Sequence, residues 1–167
     1  MVLTKAELIA SLQNEVRILL HLCTKIDKKH LDYRPTPKQR SMLELLHYLS
    51  FMGPTMAKAM REGGFDGNAW GAEVSAASAR DFDQTVDAIA AMSDAYTRIL
   101  GAIDEADFRT EVDMFGTVAS KGSHMVNIVL SGYAAYRTQL FVYLKACGRE
   151  ELNTMNLWGG VDAPMDG

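Results

Sequence analysis

Residues 122–148 have the sequence GSHMVNIVLSGYAAYRTQLFVYLKACG, and the fold follows from this stretch. Projected at about 100° per residue, it forms a helix with one continuous apolar stripe, made by Met125, Val129, Gly132, Tyr136, Leu140, Tyr143 and Cys147. Neighbouring apolar residues widen the stripe to more than half of the circumference. A helix with so much apolar surface needs several partners at once, so we predict that it is the central helix of a bundle.

The composition is that of a single globular domain spanning residues 1–167. The chain has 48% hydrophobic residues and a net charge of −4, and it is long enough to bury a core. No dense cluster of Lys and Arg is present, so we expect no nucleic-acid partner. The N-terminus lacks the apolar core of a signal peptide. The longest uncharged span, Gly122 to Tyr136, is shorter than the ~20 residues that cross a bilayer. We therefore expect a cytoplasmic protein that does not bind membranes.

Three further amphipathic helices are predicted before this stretch. Thr4 and Glu7 have the spacing of a capping box and begin a helix that extends to about residue 28. Ser41 and Glu44 form a second capping box, and the helix that follows is expected to kink at Pro54 and to end at 63–64. A third helix extends from about residue 83 to 103. Together, the helices predict an all-α fold, a four-helix bundle with long crossover loops.

The connections and the tail carry further predictions. Residues 63–80 are rich in Gly and Ala and contain Phe65 and Trp70; we expect a long loop that acts as a lid or a pocket wall. Residues 104–120 are expected to be irregular, with a brief extended piece at 110–115. Leu157 and Trp158 are expected to fold back onto the bundle.

The histidines are the residues most able to bind a metal between helices. His47 lies at the flank of the apolar stripe of the second helix, which favours a partly buried ring bonded to a carbonyl or water over a metal ligand. His21 and His124 are expected to be exposed. Glu44 and His47 have the Glu-x-x-His spacing of di-iron bundles, but no other Glu precedes a His by three residues, so that site is excluded. Walker-type loops, Gly-x-Ser-x-Gly elbows and Cys-x-x-Cys pairs do not occur in the sequence.

Four segments together resemble the DinB-like superfamily, four-helix proteins that include the YfiT-type thiol transferases and the mycothiol-dependent maleylpyruvate isomerases. The segments are LDYRP (31–35), SMLELLHYL (41–49), YRTQL (136–140) with YLKACG (143–148), and LWG (157–159). They cover most of the chain in order and spacing. The resemblance implies a four-helix bundle with a metal site between its second and last long helices.

This chain departs from the family at the metal site that the resemblance implies. In the family three histidines hold nickel or zinc: one on the second helix and a His-x-x-x-His pair on the last long helix. His47 occupies the first place, whereas Gly132 and Tyr136 occupy the other two. Glycine offers no ligand atom, a neutral phenol is a poor ligand, and one imidazole cannot hold a catalytic zinc. We therefore expect no metal and no cofactor. In their place we predict a tyrosine-lined cavity for a small molecule near His47, Gly132, Tyr136, Arg137 and Trp70.

Three functions are compatible with this interpretation. The first is a metal-free protein that binds a small molecule or a partner and, by analogy with the family, forms a homodimer. The alternative is a metal- and thiol-dependent transferase or isomerase with rearranged ligands such as His47, Glu44 and His124. The third is a purely structural bundle without a cavity. The volume beside Tyr136 distinguishes the third function from the others, and metal-stimulated thiol transfer distinguishes the first two.

Overall fold

The computed structural model describes residues 3–163 and shows an all-α bundle. Its long arms are α1 (Lys5–Cys23), the consecutive α2 (Met42–Leu49) and α3 (Met52–Glu62), α5 (Phe82–Gly101), and a central helix that follows a hairpin. A further helix, α4 (Gly67–Ser78), packs against α2. The all-α, four-helix architecture predicted from the sequence is confirmed. Within residues 3–163, no helix is long and apolar enough to span a bilayer.

Three of the long helices begin with capping boxes. In α1 and α2, Thr4 and Ser41 accept from the backbone N–H three residues on, and the Glu there accepts from the cap N–H in return. Asp81 and Gln84 do the same for α5. Each box satisfies two backbone donors that a helix start leaves free, which is why these starts are well defined.

The second predicted helix is broken rather than kinked. α2 ends at Leu49, and α3 begins at Met52, with Pro54 in its first turn. Proline has no N–H, and its ring collides with the carbonyl four residues earlier, so it is tolerated only near a helix start. The chain therefore interrupts the helix at Ser50–Phe51, and α3 ends at Gly63, whose φ of 95° suits glycine.

The prediction of a long loop over residues 63–80 is wrong, because most of it is helix. Asp66 caps α4 by accepting from the N–H groups of Asn68 and Ala69. The alanines that suggested a loop have the highest helix propensity of all residues. Only Ala77 of this helix is buried, so α4 covers the bundle without entering its core.

A short hairpin precedes the central helix. β1 (Glu111–Met114) pairs antiparallel with β2 (Thr117–Ser120), with Val112 opposite Ala119. The predicted extended piece corresponds to β1, whereas β2 was not predicted. Phe115 and Gly116 form the turn with φ values of 59° and 82°, the two positive values that a type I′ turn requires.

The central helix is continuous but not regular. It consists of α6 (Lys121–His124), a π-helical segment (Met125–Leu130) and α7 (Ser131–Ala146). In the π-helical segment the N–H of Ser131 bonds to the carbonyl of Val126, five residues earlier, which widens the turn. The wider turn changes which side of the following α7 faces the core. The buried residues of α7 are Tyr133, Arg137, Leu140, Tyr143 and Leu144. Gly132 and Tyr136, predicted to face the core, lie at its flank and are partly exposed.

Two histidines differ from expectation, whereas the tail folds back onto the bundle as predicted. His124 is only 3% exposed, and its Nε2 donates to the carbonyl of Val112 at 3.1 Å; the β-hairpin, which was not predicted, covers it. His21 is half-buried with Nε2 3.1 Å from Asn156 Nδ2. The tail returns to α1 through Arg17, which donates to the carbonyls of residues 159 and 160. Trp158 stays 68% exposed, although the segment that carries it folds back onto α1 as predicted.

Candidate functional site

Two clefts lie on either side of the Tyr48 and Trp70 rings. The first, called the aromatic cleft, has a volume of about 340 Å³ and is lined by Tyr48, Met52, Met56, Phe65, Trp70, Phe115, Ile128, Gly132 and Tyr136. The second, called the basic cleft, has a volume of about 360 Å³. It is lined by Arg34, Pro37, Lys38, Gln39, Arg40, Glu44, His47, Tyr48, Phe51, Trp70, Val74, Ala77 and Ser78. Both volumes fall near the lower end of the range of ligand pockets, so a structural bundle without a cavity does not describe this region.

The lining of the aromatic cleft comes from four separate parts of the chain. Tyr48 and Met52 lie on either side of the break between α2 and α3, and Trp70 projects from α4. Phe115 comes from the hairpin turn, and Tyr136 comes from α7. The break at Ser50–Phe51 and the capping of α4 by Asp66 therefore both serve to position the walls of this cleft.

The aromatic side chains form a connected series. Ring centroids are 4.9 Å apart for Phe115 and Phe65, 5.7 Å for Phe65 and Trp70, and 6.1 Å for Trp70 and Tyr48. Tyr48 and Tyr136 are 4.8 Å apart at an interplanar angle of 64°. These separations are those of favourable tilted and edge-to-face contacts, so the rings hold one another in place around the cleft.

Arg40 lines the basic cleft and lies over a ring, Tyr48, that lines both clefts. Its guanidinium carbon is 4.2 Å from the centre of the Tyr48 ring and 5.9 Å from the centre of the Tyr136 ring. Arg34 and Lys38 add positive charge to the basic cleft, whose one carboxylate is Glu44. That carboxylate accepts from the Ser41 N–H at 2.7 Å and lies 3.2 Å from Arg34. The Ser41 hydrogen bond, and after it Arg34, lower the pKa of Glu44, which stays charged and engaged.

The Tyr48 phenol stays neutral at physiological pH, because its pKa is raised. Burial, followed by the neighbouring Tyr136, raises the pKa of Tyr48 to about 12. A phenolate at this position would face a second phenol rather than a metal or a strong base. Tyr48 therefore offers the cleft a hydrogen-bonding hydroxyl and an aromatic face instead of an anionic ligand.

The residues at this place do not fit the metal that the sequence resemblance implies. His47 Nε2 lies 2.9 Å from the carbonyl oxygen of Arg80, so this nitrogen carries the proton and has no lone pair to offer. Gly132 has no ligand atom, and Tyr136 packs on Tyr48. Across residues 3–163, no three side chains of His, Cys, Asp or Glu come together as a metal site would require. The hydrogen bond of His47 to a backbone carbonyl matches the prediction for that residue.

The structure brings together four of the five predicted site residues. Gly132 and Tyr136 line the aromatic cleft, His47 lines the basic cleft, and Trp70 lines both. Arg137 is elsewhere: its Nη1 lies 2.7 Å from Glu15 Oε2 of α1, and the side chain is 4% exposed. Because Arg137 is one position past Tyr136, it projects about 100° further around the helix and faces α1 instead of the clefts.

Sequence reasoning missed most of the walls. Arg40, Tyr48 and Phe115 were not assigned to the site, and Phe65 was included only as part of the 63–80 segment expected to form a lid or a pocket wall. Tyr48 and Arg40 could have been found, since they directly follow His47 and directly precede the Ser41 capping box. The approach of Phe65 to Phe115 could not, because it depends on α4 and on the turn of the hairpin.

The alternative ligands of a rearranged metal site do not converge. Glu44 and His47 line the basic cleft. His124 is buried under the hairpin with its Nε2 bonded to Val112, and Glu44 is held by Ser41 and Arg34. Glu44 and His47 thus share one cleft, His124 lies elsewhere, and among residues 3–163 the three do not form a ligand set.

Two solved structures have a similar fold. A DinB-like protein of Bacillus subtilis, YjoA, is 18% identical, with a TM-score of 0.66 over 87% of this chain and 95% of its own. A DinB-like protein of Bacillus cereus ATCC 10987 is 14% identical, with a TM-score of 0.70 over 89% of this chain and 95% of its own. No family model and no curated protein matches the sequence. The chain therefore has the DinB-like fold, in agreement with the resemblance noted in its sequence.

Proposed function

We propose that this DinB-like bundle takes up a small organic molecule in the aromatic cleft without the help of a metal ion. One observation carries the proposal. The aromatic cleft has a volume of about 340 Å³, and its lining includes no histidine, cysteine or carboxylate. Catalysis of a transfer or isomerisation needs groups that move protons, attack the substrate or bind a metal. A preformed, mainly apolar cavity with few polar groups suits binding instead.

Metal content gives the first test. The protein is produced without a polyhistidine tag and dialysed with excess nickel or zinc, and bound metal is measured by plasma mass spectrometry. We expect far less than one equivalent, because His47 has no second or third ligand beside it: Gly132 offers no ligand atom and Tyr136 packs on Tyr48. One equivalent of metal that is lost in His47→Ala would contradict the proposal, as would thiol transfer that nickel or zinc stimulates.

A matched variant serves as the positive control for metal binding. Replacing Gly132→His and Tyr136→His places three imidazoles where the family has them. A Cβ at position 132 would lie 3.1 Å from Met52 Cε, the mobile end of a flexible side chain, so the helix can accept it. We expect this double variant to retain more metal than the parent protein in the same dialysis.

Occupancy of the cleft gives the second test. The chain has two tryptophans, so Trp158→Phe leaves Trp70 in the cleft wall as the single reporter. Titration with 8-anilinonaphthalene-1-sulfonate should change the emission of Trp70 and raise Tm, because ligand binding stabilises the folded state. In the control, Trp70→Phe keeps only the exposed Trp158, whose emission should change little. Equal changes in both variants would show binding outside the cleft and contradict the proposal.

A further inference from the structure

We propose that the ligand of the aromatic cleft is a flat aromatic carboxylic acid, with its ring system among the aromatic side chains and its carboxylate against Arg40. This inference rests on the proposed function and adds to it the chemical class of the ligand. Three observations carry it: the charge balance around Arg40, the shape and chemistry of the cleft walls, and the state of the α2 N-terminus.

Arg40 is a cation without an anionic partner. Among residues 3–163, no carboxylate forms an ion pair with its side chain. Lys38 beside it in the basic cleft is also without one, whereas Arg34 is already paired with Glu44. The lining of the basic cleft thus carries two cations in excess, next to an aromatic cleft that holds no charge of its own.

The backbone at Arg40 is fixed in position. Tyr143 donates its hydroxyl to the Arg40 carbonyl at 3.0 Å and accepts from Gln139 Nε2 at 2.6 Å. The guanidinium itself stacks on Tyr48, which keeps its planar edge of N–H donors free. A donor group that is held in place before binding loses less conformational entropy on binding.

The walls of the aromatic cleft favour a flat, unsaturated body. Seven of the nine lining residues are aromatic or methionine: Tyr48, Met52, Met56, Phe65, Trp70, Phe115 and Tyr136. Aromatic rings prefer further aromatic rings in edge-to-face or offset contact, and methionine adapts to their shape. A sugar or polyol would leave most of its hydroxyls without side-chain partners, since the polar side-chain groups of this lining are the Tyr48 and Tyr136 hydroxyls and the Trp70 indole N–H.

A carboxylate is favoured over a phosphate. A phosphate usually binds several donors, often the free N–H groups of a helix N-terminus. The N-terminus of α2 is the one adjacent to Arg40, and its capping box already satisfies it: Ser41 and Glu44 bond to each other's backbone N–H. The Glu44 carboxylate at that place would repel a dianion, whereas Arg40 alone matches the two oxygens of a carboxylate.

The test uses four probes on the parent protein, with affinities measured by isothermal titration calorimetry: 2-naphthoate, 2-naphthamide, 2-naphthyl phosphate and decanoate. We expect 2-naphthoate to bind most tightly, about tenfold or more above the amide, because a charge-assisted hydrogen bond is lost in the amide. Arg40→Gln should lower the affinity for naphthoate to that of the amide and leave amide binding unchanged.

The control and the possible negative results distinguish a failure of the proposed ligand class from a failure of the proposed binding function. Arg61→Gln removes a partly exposed arginine that lines neither cleft and should leave all affinities unchanged. Thermal melts verify that both variants are folded. Equal affinity for naphthoate and naphthamide, or a stronger phosphate or decanoate, would overturn the ligand class while the binding function stands. If none of the four probes binds, both the ligand class and the binding function fail.

Discussion

Two tyrosine pairs, both involving the central helix, have opposite roles. Tyr96 and Tyr133 are at most 1% exposed, and the Tyr96 hydroxyl donates to that of Tyr133 at 2.8 Å. Tyr48 and Tyr136 are partly exposed and line the aromatic cleft. Tyr133 and Tyr136 are only three residues apart. The comparison shows that a tyrosine of this helix can be buried in the core or line a cleft. Its position around the helix and the residues that pack against it decide which, because the side chain is the same.

Backbone packing explains why the first pair is closed. A Cβ at Gly53 of α3 would lie 1.8 Å from the Tyr96 hydroxyl and 2.4 Å from that of Tyr133, so only glycine allows the approach. Gly53 follows the break between α2 and α3, which also places Met52 in the aromatic cleft. The break between α2 and α3 thus contributes both to the burial of the Tyr96–Tyr133 pair and to the accessible cleft beside the Tyr48–Tyr136 pair.

Gly53→Ala should break the closed pair and have the largest effect. The methyl group cannot fit unless two fully buried tyrosines move, so we expect a loss of about 3 kcal/mol or more in the free energy of unfolding, at the upper end of overpacking costs. Denaturant unfolding measures it. As a control, Gly71→Ala in α4 meets nothing within 4 Å and should stabilise by roughly 0.5–1 kcal/mol, the helix propensity difference. A neutral Gly53→Ala would show that the pair is not tightly enclosed.

The second-largest effect is expected at alkaline pH, where ionisation of the buried Tyr96 and Tyr133 should lower the stability of the folded protein. Burial is the main reason that the pKa of both Tyr96 and Tyr133 is raised above the ordinary value of a tyrosine. In the unfolded chain these phenols ionise at a lower pH than in the folded protein. Their contribution to the free energy of unfolding is therefore complete below about pH 10. Above that pH it declines by about 1.4 kcal/mol per pH unit for each phenol.

The measurement combines guanidinium unfolding between pH 8 and 11 with phenolate absorbance. We expect the two phenols to ionise only as the chain unfolds, and Tyr133→Phe to reduce the slope of stability against pH above pH 10. An unchanged slope in this variant would show that the Tyr133 phenol is accessible to solvent in the folded protein.

Removing single hydroxyls sharpens the comparison at neutral pH. Tyr133→Phe leaves the buried Tyr96 hydroxyl without its acceptor, so we expect a loss of about 1–2 kcal/mol in the free energy of unfolding. Tyr136→Phe, on the open side, should change it by less than about 0.5 kcal/mol. Thermal unfolding of both variants tests this, and equal losses would mean that the two pairs do not differ in burial.

The smallest effect is expected at the hairpin turn that borders the cleft. Phe115 is the one non-glycine residue of 3–163 with a positive φ, 59°, and its side chain is 64% exposed. Asparagine tolerates this conformation better, so Phe115→Asn should stabilise by up to about 1 kcal/mol. Phe115→Ala removes the same ring without easing the backbone, and it should not stabilise. If both variants are equally stable, the backbone conformation at 115 carries no cost.

Much of the fold could be predicted because its signals are local. The capping boxes at Thr4 and Ser41 and the apolar stripes depend on spacing alone, and both boxes are present. The break before Pro54 and the helix α4 were misjudged, since a proline at a helix start and an Ala-rich surface helix depend on the surrounding chain. His124 was misplaced because its partner Val112 lies on a hairpin whose second strand the sequence did not indicate.

The site was predicted less completely for a geometric reason. The register of the central helix changes in the segment 125–130, which no residue pattern marks. A regular helix puts positions 132 and 136 in the core; the observed one puts Tyr133 and Arg137 there. The prediction therefore included two residues that line the aromatic cleft, Gly132 and Tyr136. It also included Arg137, whose side chain pairs with Glu15 instead.

The wide turn of the central helix has one more consequence. A five-residue hydrogen-bonded turn accommodates one residue more than the four-residue turn of an α-helix. Deleting a single residue between 126 and 130 should therefore close the backbone into a uniform helix without rotating either flank, so that the His124–Val112 and Arg137–Glu15 contacts both persist. Elsewhere in the same helix a deletion would turn everything beyond it by about 100°. Chains of this architecture that differ in length by one residue are expected to differ at this turn.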